Sequence, residues 1–175
     1  TNLSESYKSL NEALFHSGIK NNIKVNVKWL DSRIFEDYNK SKKILSNTNG
    51  ILVPGGFGKD GSKGKENAIR VARKMKIPFL GICFGMQLCI IESVKSLKGF
   101  EEASSTEFGK TTLPIISMLH EWTKDKKILK HDKQNLGGSM RLGAYVSKLK
   151  KKSRIFQIYK KTEIKERHRH RYEVN

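Results

Sequence analysis

The order of apolar and polar positions along the chain predicts strands that alternate with helices. Residues 23–29 alternate strictly between apolar and polar, which predicts a strand with one covered face. Two wholly apolar runs, residues 50–54 and 77–82, fit parallel strands that are buried on both faces. A third run, residues 114–118, predicts a further strand.

Helices are predicted between these strands from apolar residues at helical spacing. The first begins at the N-cap Ser4 and ends at Gly18, and the second covers residues 66–76. The third starts directly after Cys83, while residues 31–47 are polar and fit either a helix or a loop. This alternation predicts an α/β fold, with a mostly parallel central sheet covered by helices on both faces.

The pattern changes in the second half of the chain. Residues 103–108 resemble a polar loop, and residues 120–135 resemble a mobile, highly charged surface insertion. Residues 137–143 and 144–149 predict two short antiparallel strands, a small addition to the parallel sheet. Residues 164–175 form a dense polar cluster.

The length and composition fit one domain of 175 residues with a sizeable core. No apolar stretch approaches the roughly 18 residues of a membrane span, and the first residues do not form a secretory segment. The only cysteines, Cys83 and Cys89, are too few for a disulfide framework and fit a reducing compartment. We therefore expect a cytoplasmic protein with no membrane partner.

The net charge of +18, from 35 Lys and Arg against 17 Asp and Glu, raises nucleic acid as a possible partner class. The lysines are dispersed, however, and aromatic residues do not alternate with them as a base-stacking surface requires. Charge runs are most often solvated faces. We therefore interpret the charge as solvated surface and expect no nucleic-acid partner.

The strongest chemical signal is Cys83, which ends an apolar run and is flanked by Gly81 and Gly85. A buried strand that turns sharply into a helix, with a reactive residue at the bend, is a nucleophile elbow. Small neighbours suit the strained backbone, and the helix N-terminus favours a thiolate. The alternative is a buried structural cysteine beside chance glycines.

A glycine-rich loop, residues 55–58, follows the apolar run 50–54. It is not a phosphate-binding Walker loop, because the later Gly-Lys pair is followed by Glu66 in place of Ser or Thr. Ligands of parallel sheets bind at the carboxyl ends of the strands, so this loop and Cys83 should be neighbours. The backbone N–H groups of Gly56 and Phe84 would then stabilise the oxyanion formed when the cysteine attacks an amide or ester.

A base for the cysteine is not evident among the histidines. The five are His16, His120, His131, His168 and His170. His168 and His170 lie among arginines, and no histidine is followed by an acidic residue two positions later. This pair also lacks companion ligands, so neither an oriented base nor a metal site is predicted.

Five runs of the chain resemble the class I glutamine amidotransferase domain of CTP synthases. They are residues 53–58, 81–87, 105–108, 138–143 and 167–175. The Gly-Ile-Cys-x-Gly run indicates the wider class I group, whereas Ser-Thr-Glu-Phe, Met-Arg-Leu-Gly and Arg-His-Arg-His-Arg-Tyr-Glu-Val-Asn indicate CTP synthase. The resemblance spans almost the whole chain and implies a flavodoxin-like amidotransferase domain over residues 1–175.

The resemblance implies that the domain hydrolyses L-glutamine through a thioester on Cys83. Oxyanion-hole amides would come from Gly56 and Phe84. The glutamine-binding residues would be Gly56, Phe84, Gly85, Met86, Gln87, Glu107 and Arg171. Glu107 would bind the α-amino group and Arg171 the α-carboxylate, although an ordinary surface carboxylate and a structural ion-pair partner are the respective alternatives.

The resemblance also implies partners beyond this domain. Ammonia would pass to an amidoligase domain that uses ATP and Mg to aminate UTP to CTP, with GTP as allosteric activator and a homotetramer formed through that domain. The amidotransferase domain itself would need no cofactor or metal. In the family it continues past Asn175 to a His-Pro-Glu that supplies the base, so these residues are expected to be an incomplete excerpt with negligible glutaminase activity alone.

Small departures and other functions are weighed against this interpretation. Phe84 stands where the family usually has Leu, and Ser104 where it has Asn, and both are tolerable changes. One alternative is another cysteine hydrolase of the same fold, a peptidase or γ-glutamyl hydrolase, which does not require Glu107 and Arg171 as amino-acid readers. The others are a catalytically incomplete scaffold domain and a basic nucleic-acid module.

Overall fold

The structure is a computed structural model that describes residues 3–119, 121–124, 127–130 and 140–175. The helices are α1 (Leu3–Ser6), α2 (Lys8–Lys20), α3 (Tyr38–Leu45), α4 (Ser62–Met75), α5 (Phe84–Lys95) and α6 (Arg154–Tyr159). Short 3-10 helices cover Ser32–Phe35 and Thr106–Phe108. The strands are β1 (Ile51–Val53), β2 (Phe79–Gly81), β3 (Ala103–Ser105), β4 (Leu113–Met118), β5 (Glu121–Lys124), β6 (Lys127–Lys130), β7 (Arg141–Lys148), β8 (Glu163–His170) and β9 (Tyr172–Val174).

The first two strands pair in parallel, as the two apolar runs predict. Val53 lies opposite Gly81 at the carboxyl ends of β1 and β2, and the N–H of Ile82 donates to the Val53 carbonyl at 3.0 Å. The glycine-rich loop and Cys83 therefore begin at the same edge of this sheet. β3 and β4 form a second parallel pair, which β9 extends antiparallel to β4.

Helices α4 and α5 pack beside these strands and supply most of the core. The main cluster is Val53, Ile69, Phe84, Leu88, Ile91 and Ile116. α5 begins where the pattern predicts, but α4 begins at Ser62, before the predicted residue 66. It ends with Lys76 in the left-handed conformation at φ 56°, so its predicted end is confirmed to within one residue.

The predicted strand over residues 23–29 is wrong. This segment forms no ladder with any described strand, and Ile23 and Val27 are 62% and 44% exposed. Alternation fixes only which side chains face the same way, whereas a strand also needs a hydrogen-bonding neighbour. The segment contacts the N-terminal helices instead, because the Trp29 ring stacks on the Tyr7 ring with centroids 5.5 Å apart.

The first predicted helix also differs from the structure. It begins at Leu3, is interrupted at Tyr7, and continues past Gly18 to Lys20. Gly18 is buried inside α2, where a Cβ would lie 2.8 Å from the Ile23 carbonyl oxygen. This glycine therefore permits a close approach of the following segment and does not terminate the helix.

The second half of the chain contains more strand than the sequence predicts. The expected loop at residues 103–108 is strand β3 followed by a 3-10 helix. β3 has only three residues, so it is too short to show an alternation of apolar and polar positions. Of the two predicted strands, the described residues form one strand, β7, which pairs antiparallel with β8 in the polar tail. The antiparallel addition is thus present, but its second strand comes from charged residues that show no apolar period.

Part of the predicted charged insertion is described. β5 and β6 form an antiparallel hairpin within it, with Glu121 opposite Lys130. His120, His131 and the expected start of a strand at residues 137–139 lie outside the described residues.

Candidate active site

Cys83 lies at the bend between β2 and α5, as the elbow pattern predicts. Its backbone has φ 54° and ψ −110°, a conformation that is rare for a residue with a side chain. It is the N-cap residue of α5, and its carbonyl accepts the N–H of Gln87 at 3.1 Å in the first helical turn. The thiol is free and partly buried.

The two glycines that flank the cysteine allow the helix to start this close to the sheet. A Cβ on Gly85 would lie 2.0 Å from the Val53 carbonyl oxygen, and one on Gly81 would lie 2.6 Å from the Gly85 carbonyl oxygen. Both positions exclude any side chain for steric reasons, which confirms the sequence interpretation of small neighbours.

The glycine-rich loop lies against the cysteine, as predicted. A Cβ on Gly55 would be 3.4 Å from the Cys83 Cβ and 3.8 Å from its Sγ. The backbone N–H groups of Gly56 and Phe84 both donate hydrogen bonds to the thiol. The structure therefore brings together Cys83 and the two backbone amides that sequence analysis selected as oxyanion donors. Tyr7, between α1 and α2, also contacts this loop, because its hydroxyl donates to the Gly55 carbonyl at 2.8 Å.

His170 occupies the other side of the thiol, contrary to the expectation that no tail histidine is oriented. Its side chain hydrogen-bonds to Cys83, and its Nδ1 lies 3.0 Å from Glu173 Oε1. The chain turns at Arg171 between β8 and β9, and this turn brings a carboxylate three residues later back to the ring. A search for an acid at spacing three on a tail histidine would have found this pair.

Arg141, the first residue of β7, is a second cationic partner of Glu173. Its Nη1 lies 3.2 Å from the same Glu173 oxygen that contacts His170. The side chains become more buried towards the cysteine, since Arg141, Glu173 and His170 are 27%, 19% and 11% exposed. The Arg141 guanidinium also stacks over the Tyr145 ring, 4.5 Å from its centroid.

The charges at the site stabilise one another. Hydrogen bonds to Cys83 and then to Glu173 raise the pKa of His170 to about 9, although burial opposes this. The hydrogen bond from His170 lowers the pKa of Cys83 despite burial, with further contributions from the His170 charge and the two backbone N–H groups. Burial raises the pKa of Glu173, but His170 and Arg141 outweigh it and the net shift is downward. These shifts all favour the charged forms, a thiolate at Cys83, an imidazolium at His170 and a carboxylate at Glu173.

The residues predicted to bind glutamine have varied contacts. Glu107 accepts the N–H of Gly58 at 2.6 Å, so it is tied directly to the glycine-rich loop. Gln87 is 6% exposed and donates to the Tyr172 carbonyl at 2.7 Å, which joins α5 to β9. Arg171 lies at the turn beside His170, where its carbonyl accepts the N–H of Leu119 at 2.9 Å.

The remaining predicted residues lie in the first turn of α5. Gly85 and Met86 follow directly after Phe84, whose ring is 2% exposed and packs edge-on against Phe108 in the core. The Phe84 side chain is therefore a core element, and its contribution to the site is its backbone N–H.

No group of three or more His, Cys, Asp or Glu side chains among the described residues is arranged to hold a metal ion. No helix in the described part of the chain combines the length and apolarity that crossing a bilayer requires.

Comparison with known proteins gives consistent matches. A family model described as glutamine amidotransferase class-I matches residues 2–175. The chain is 51% identical over 176 residues to a CTP synthase of Gluconacetobacter diazotrophicus and 55% identical over 173 residues to that of Pelagibacter ubique. These alignments cover 100% and 99% of this chain but 32% of each relative, so the chain spans about a third of the length of these curated relatives.

The fold is also similar to a solved structure, the glutaminase domain of Trypanosoma brucei CTPS with bound acivicin. The TM-score is 0.84 at 35% identity, covering 99% of this chain and 64% of that one. This likeness confirms the predicted fold class, with parallel and antiparallel strands mixed, and the resemblance that the sequence runs indicate. Because the family model extends over residues 2–175, the chain belongs to the class I glutamine amidotransferases.

Proposed function

We propose that this chain is the glutaminase part of a CTP synthase. Its substrate is L-glutamine, and the ammonia serves an amidoligase domain that aminates UTP to CTP. The observation that carries the proposal is Cys83, which is held in an elbow with two backbone N–H groups aimed at its sulfur. In this proposal ATP and Mg act in the amidoligase domain, GTP activates, and the enzyme is a cytoplasmic homotetramer.

The site geometry supports acyl transfer through a thioester. The Cys83 sulfur attacks the side-chain amide carbon of glutamine, and the carbonyl oxygen becomes an oxyanion. The N–H groups of Gly56 and Phe84 are fixed beside the sulfur. They can therefore donate hydrogen bonds to this oxyanion without a change in the backbone. Loss of one such donor costs on the order of 10²–10³ in rate in acyl-transfer enzymes.

Recognition of the amino-acid end of the substrate is assigned to Arg171 and Glu107. A guanidinium binds a carboxylate through two parallel hydrogen bonds, which suits the α-carboxylate of glutamine. Glu107, already bonded to the loop amide of Gly58, is assigned to the α-amino group. The first turn of α5, which contains Gly85, Met86 and Gln87, is assigned to the wall between these ends.

Acivicin, an electrophilic glutamine analogue, tests this assignment. We expect it to add one mass increment on Cys83, and we expect free glutamine to protect the thiol. Arg171→Ala should slow the labelling by about 10- to 100-fold, because it removes a charge-assisted hydrogen bond to the α-carboxylate. Intact-mass and peptide mass spectrometry provide the measurement.

Arg169→Ala is the matched control. It removes the same charge from an exposed position two residues earlier in β8, and it should leave the labelling rate unchanged. Labelling that ignores both glutamine and Arg171→Ala would contradict the proposal and favour a cysteine hydrolase of the same fold. The negligible turnover expected of these residues alone stays a prediction, which steady-state ammonia release measures.

A further inference from the structure

Lys65 of α4 is a charged residue beside the site that the proposed function leaves without a task. Its Nζ lies 5.1 Å from the centroid of the Phe84 ring. A Cβ on Gly56 would lie 3.6 Å from the same nitrogen, so the ammonium also sits beside the glycine-rich loop. Gly56 and Phe84 are the two residues whose backbone N–H groups are assigned to the oxyanion.

The sulfur of Cys83 lies beside the neighbouring residue of the same loop. A Cβ on Gly55 would be 3.8 Å from the Cys83 Sγ, and Gly56 follows directly in the chain. The ammonium of Lys65 and the sulfur are therefore placed beside consecutive glycines. A negative charge that develops on a carbonyl oxygen next to the sulfur would form close to this positive charge.

The Lys65 ammonium has no ion-pair partner among the described residues. The charges of Asp60 and Asp31 act on it from the segments before α4, but neither carboxylate pairs with it. Asp31 is already paired with an arginine of the following 3-10 helix, at 2.6 Å. Lys95 of α5 shows the contrast, because its Nζ meets Glu66 of α4 at 2.6 Å.

Burial of the ammonium distinguishes Lys65 from a lysine that only covers apolar surface. Such a lysine lays its stem on the surface and keeps its charge in water. Burial instead lowers the pKa of Lys65, although the charges of Asp60 and Asp31 oppose this shift. The stem alone explains the contact with the Phe84 ring, but it does not explain a partly buried charge without a paired carboxylate, which is costly.

We propose that Lys65 is a positioning residue of this site, which places a positive charge beside the oxyanion held by the backbone amides of Gly56 and Phe84. The inference rests on the proposed function, because it concerns the oxyanion of the same acyl transfer. Lys65 forms no bond to the substrate and transfers no proton. Its charge stabilises the transition state more than the neutral carbonyl of the ground state, since only the transition state carries negative charge on that oxygen.

Two reactions of Cys83 separate an effect on the oxyanion from an effect on the thiolate. With p-nitrophenyl acetate, the sulfur–carbon bond forms, an oxyanion develops, and p-nitrophenolate leaves with the electron pair of the broken carbon–oxygen bond. With iodoacetamide, the sulfur displaces iodide at a saturated carbon, and iodide leaves with the electron pair. Both rates depend on the thiolate fraction, but only the acylation depends on the oxyanion hole.

The experiment measures both rates at neutral pH, by p-nitrophenolate absorbance and by intact-mass spectrometry. Cys89→Ser provides the background protein, because it removes the other thiol. Adding Cys83→Ser to that background gives the reaction at all other groups, which is subtracted.

Lys65→Met keeps the length and apolar bulk of the side chain and removes its charge. We expect this variant to slow acylation about tenfold and to change alkylation by less than about twofold, as for a unit charge near the oxyanion in a partly buried site. Lys65→Arg retains the charge and should retain most of the acylation rate. Lys63→Met is the matched control, because it removes a charge from an exposed position of the same helix and should change neither rate.

A Lys65→Met protein that is acylated at the background rate would overturn the proposal. Equal losses in both reactions would also overturn it, because the charge would then act on the thiolate. A background protein that is alkylated but not acylated at Cys83 would overturn it as well, since no oxyanion would be stabilised. If circular dichroism shows that Lys65→Met does not fold, Lys65→Gln takes its place and the same outcomes decide.

Neither reagent carries the α-amino or α-carboxylate group of glutamine, so the result does not depend on substrate recognition. If acivicin labelling fails while Lys65→Met slows acylation alone, the assignment of glutamine fails and the role of Lys65 beside the oxyanion stands. If acivicin labels as expected while acylation does not change, the role of Lys65 fails and the proposed function stands.

Discussion

At the scale of single residues, the site depends on positions where a side chain is absent. Cys83 has a left-handed φ of 54°, a conformation that costs on the order of 1–3 kcal/mol and persists only when its surroundings enforce it. Gly81 and Gly85 provide these surroundings by letting the strand end, the bend and the first helical turn touch. Cys83 is therefore held in place by backbone contacts on both sides.

Gly85→Ala is expected to destabilise the protein by about 2 kcal/mol or more. Alanine would gain about 1 kcal/mol from helix propensity, but its Cβ would lie 2.0 Å from the Val53 carbonyl oxygen. The steric term is larger, so either β1 or the elbow must move. The midpoint of urea unfolding, followed by circular dichroism, measures the change.

Gly50→Ala is the control for this prediction. Its Cβ would lie 3.6 Å from the Pro78 carbonyl oxygen, an ordinary contact, and we expect a change within about 0.5 kcal/mol. Equal midpoints for the two variants would show that the close approach of α5 to β1 is not needed.

The residues of the elbow could be predicted from the sequence because the pattern is local. Glycine, cysteine and glycine at spacing two, after an apolar run, leave few backbone conformations. The spacing of His170 and Glu173 is visible in the sequence, but the place of this pair beside Cys83 could not be predicted, because it depends on how β7, β8 and β9 pack against the elbow. The arginines around it indicate a solvated tail, whereas the fold buries this one ring.

At the scale of elements, an ion pair joins the two helices that form the core. Arg73 of α4 makes two hydrogen bonds to the Glu92 carboxylate of α5, at 2.9 Å and 2.8 Å. A second pair, Lys95 to Glu66 at 2.6 Å, links the same helices. Because α5 begins directly after Cys83, these pairs also fix the axis of the helix that follows the proposed nucleophile.

Glu92→Gln is expected to lower the free energy of unfolding by about 1 to 2 kcal/mol. Glu92 is 5% exposed, so the substitution leaves a buried amide with one poor bond to Arg73. The effect stays below that of a fully buried pair because Arg73 is 40% exposed and can turn to water. Urea unfolding at neutral pH and moderate salt measures it.

Asp31→Asn is the matched control at an exposed pair. Asp31 contacts Arg33 at 2.6 Å on the surface, and asparagine keeps the capping bond to the Arg33 N–H. We expect no measurable shift in the unfolding midpoint. A shift equal to that of Glu92→Gln would show that burial does not distinguish the two pairs.

Elements with an apolar period could be predicted, and elements without one could not. The apolar patterns of the sequence predict β1, β2 and α5, and each of these elements is confirmed. β8 is charged along most of its length, because a two-stranded antiparallel sheet with mostly exposed side chains requires only backbone pairing. Residues 23–29 show the reverse case, with a clear period but no paired neighbour among the described strands.

At the scale of the whole molecule, the charge of +18 is the most unusual property. At the described site, by contrast, His170 and Arg141 meet the negative charges of Cys83 and Glu173. The surplus of positive charge belongs to dispersed lysines, which raise solubility and favour weak, non-specific contact with polyanions.

We expect binding to a short DNA duplex to be weak and to disappear at about 0.15 M salt, since non-specific contacts release counterions and depend steeply on ionic strength. Fluorescence anisotropy over a salt series measures this, with bovine histone as a positive control for the probe. Binding that persists at that salt and depends on the DNA sequence would contradict the interpretation of the lysines as solvated surface.

The bond between Gln87 and the Tyr172 carbonyl joins residues that are 85 positions apart in the chain. Tyr172 follows His170 by two residues, so this bond also ties the segment that contains the histidine to the helix that follows Cys83. During synthesis the elbow emerges well before β8 and β9, since the ribosome makes the chain from its N-terminus. Until docking, Cys83 is an ordinary thiol with little thiolate at neutral pH. The contact of Cys83 with His170 therefore forms only after β8 has been made.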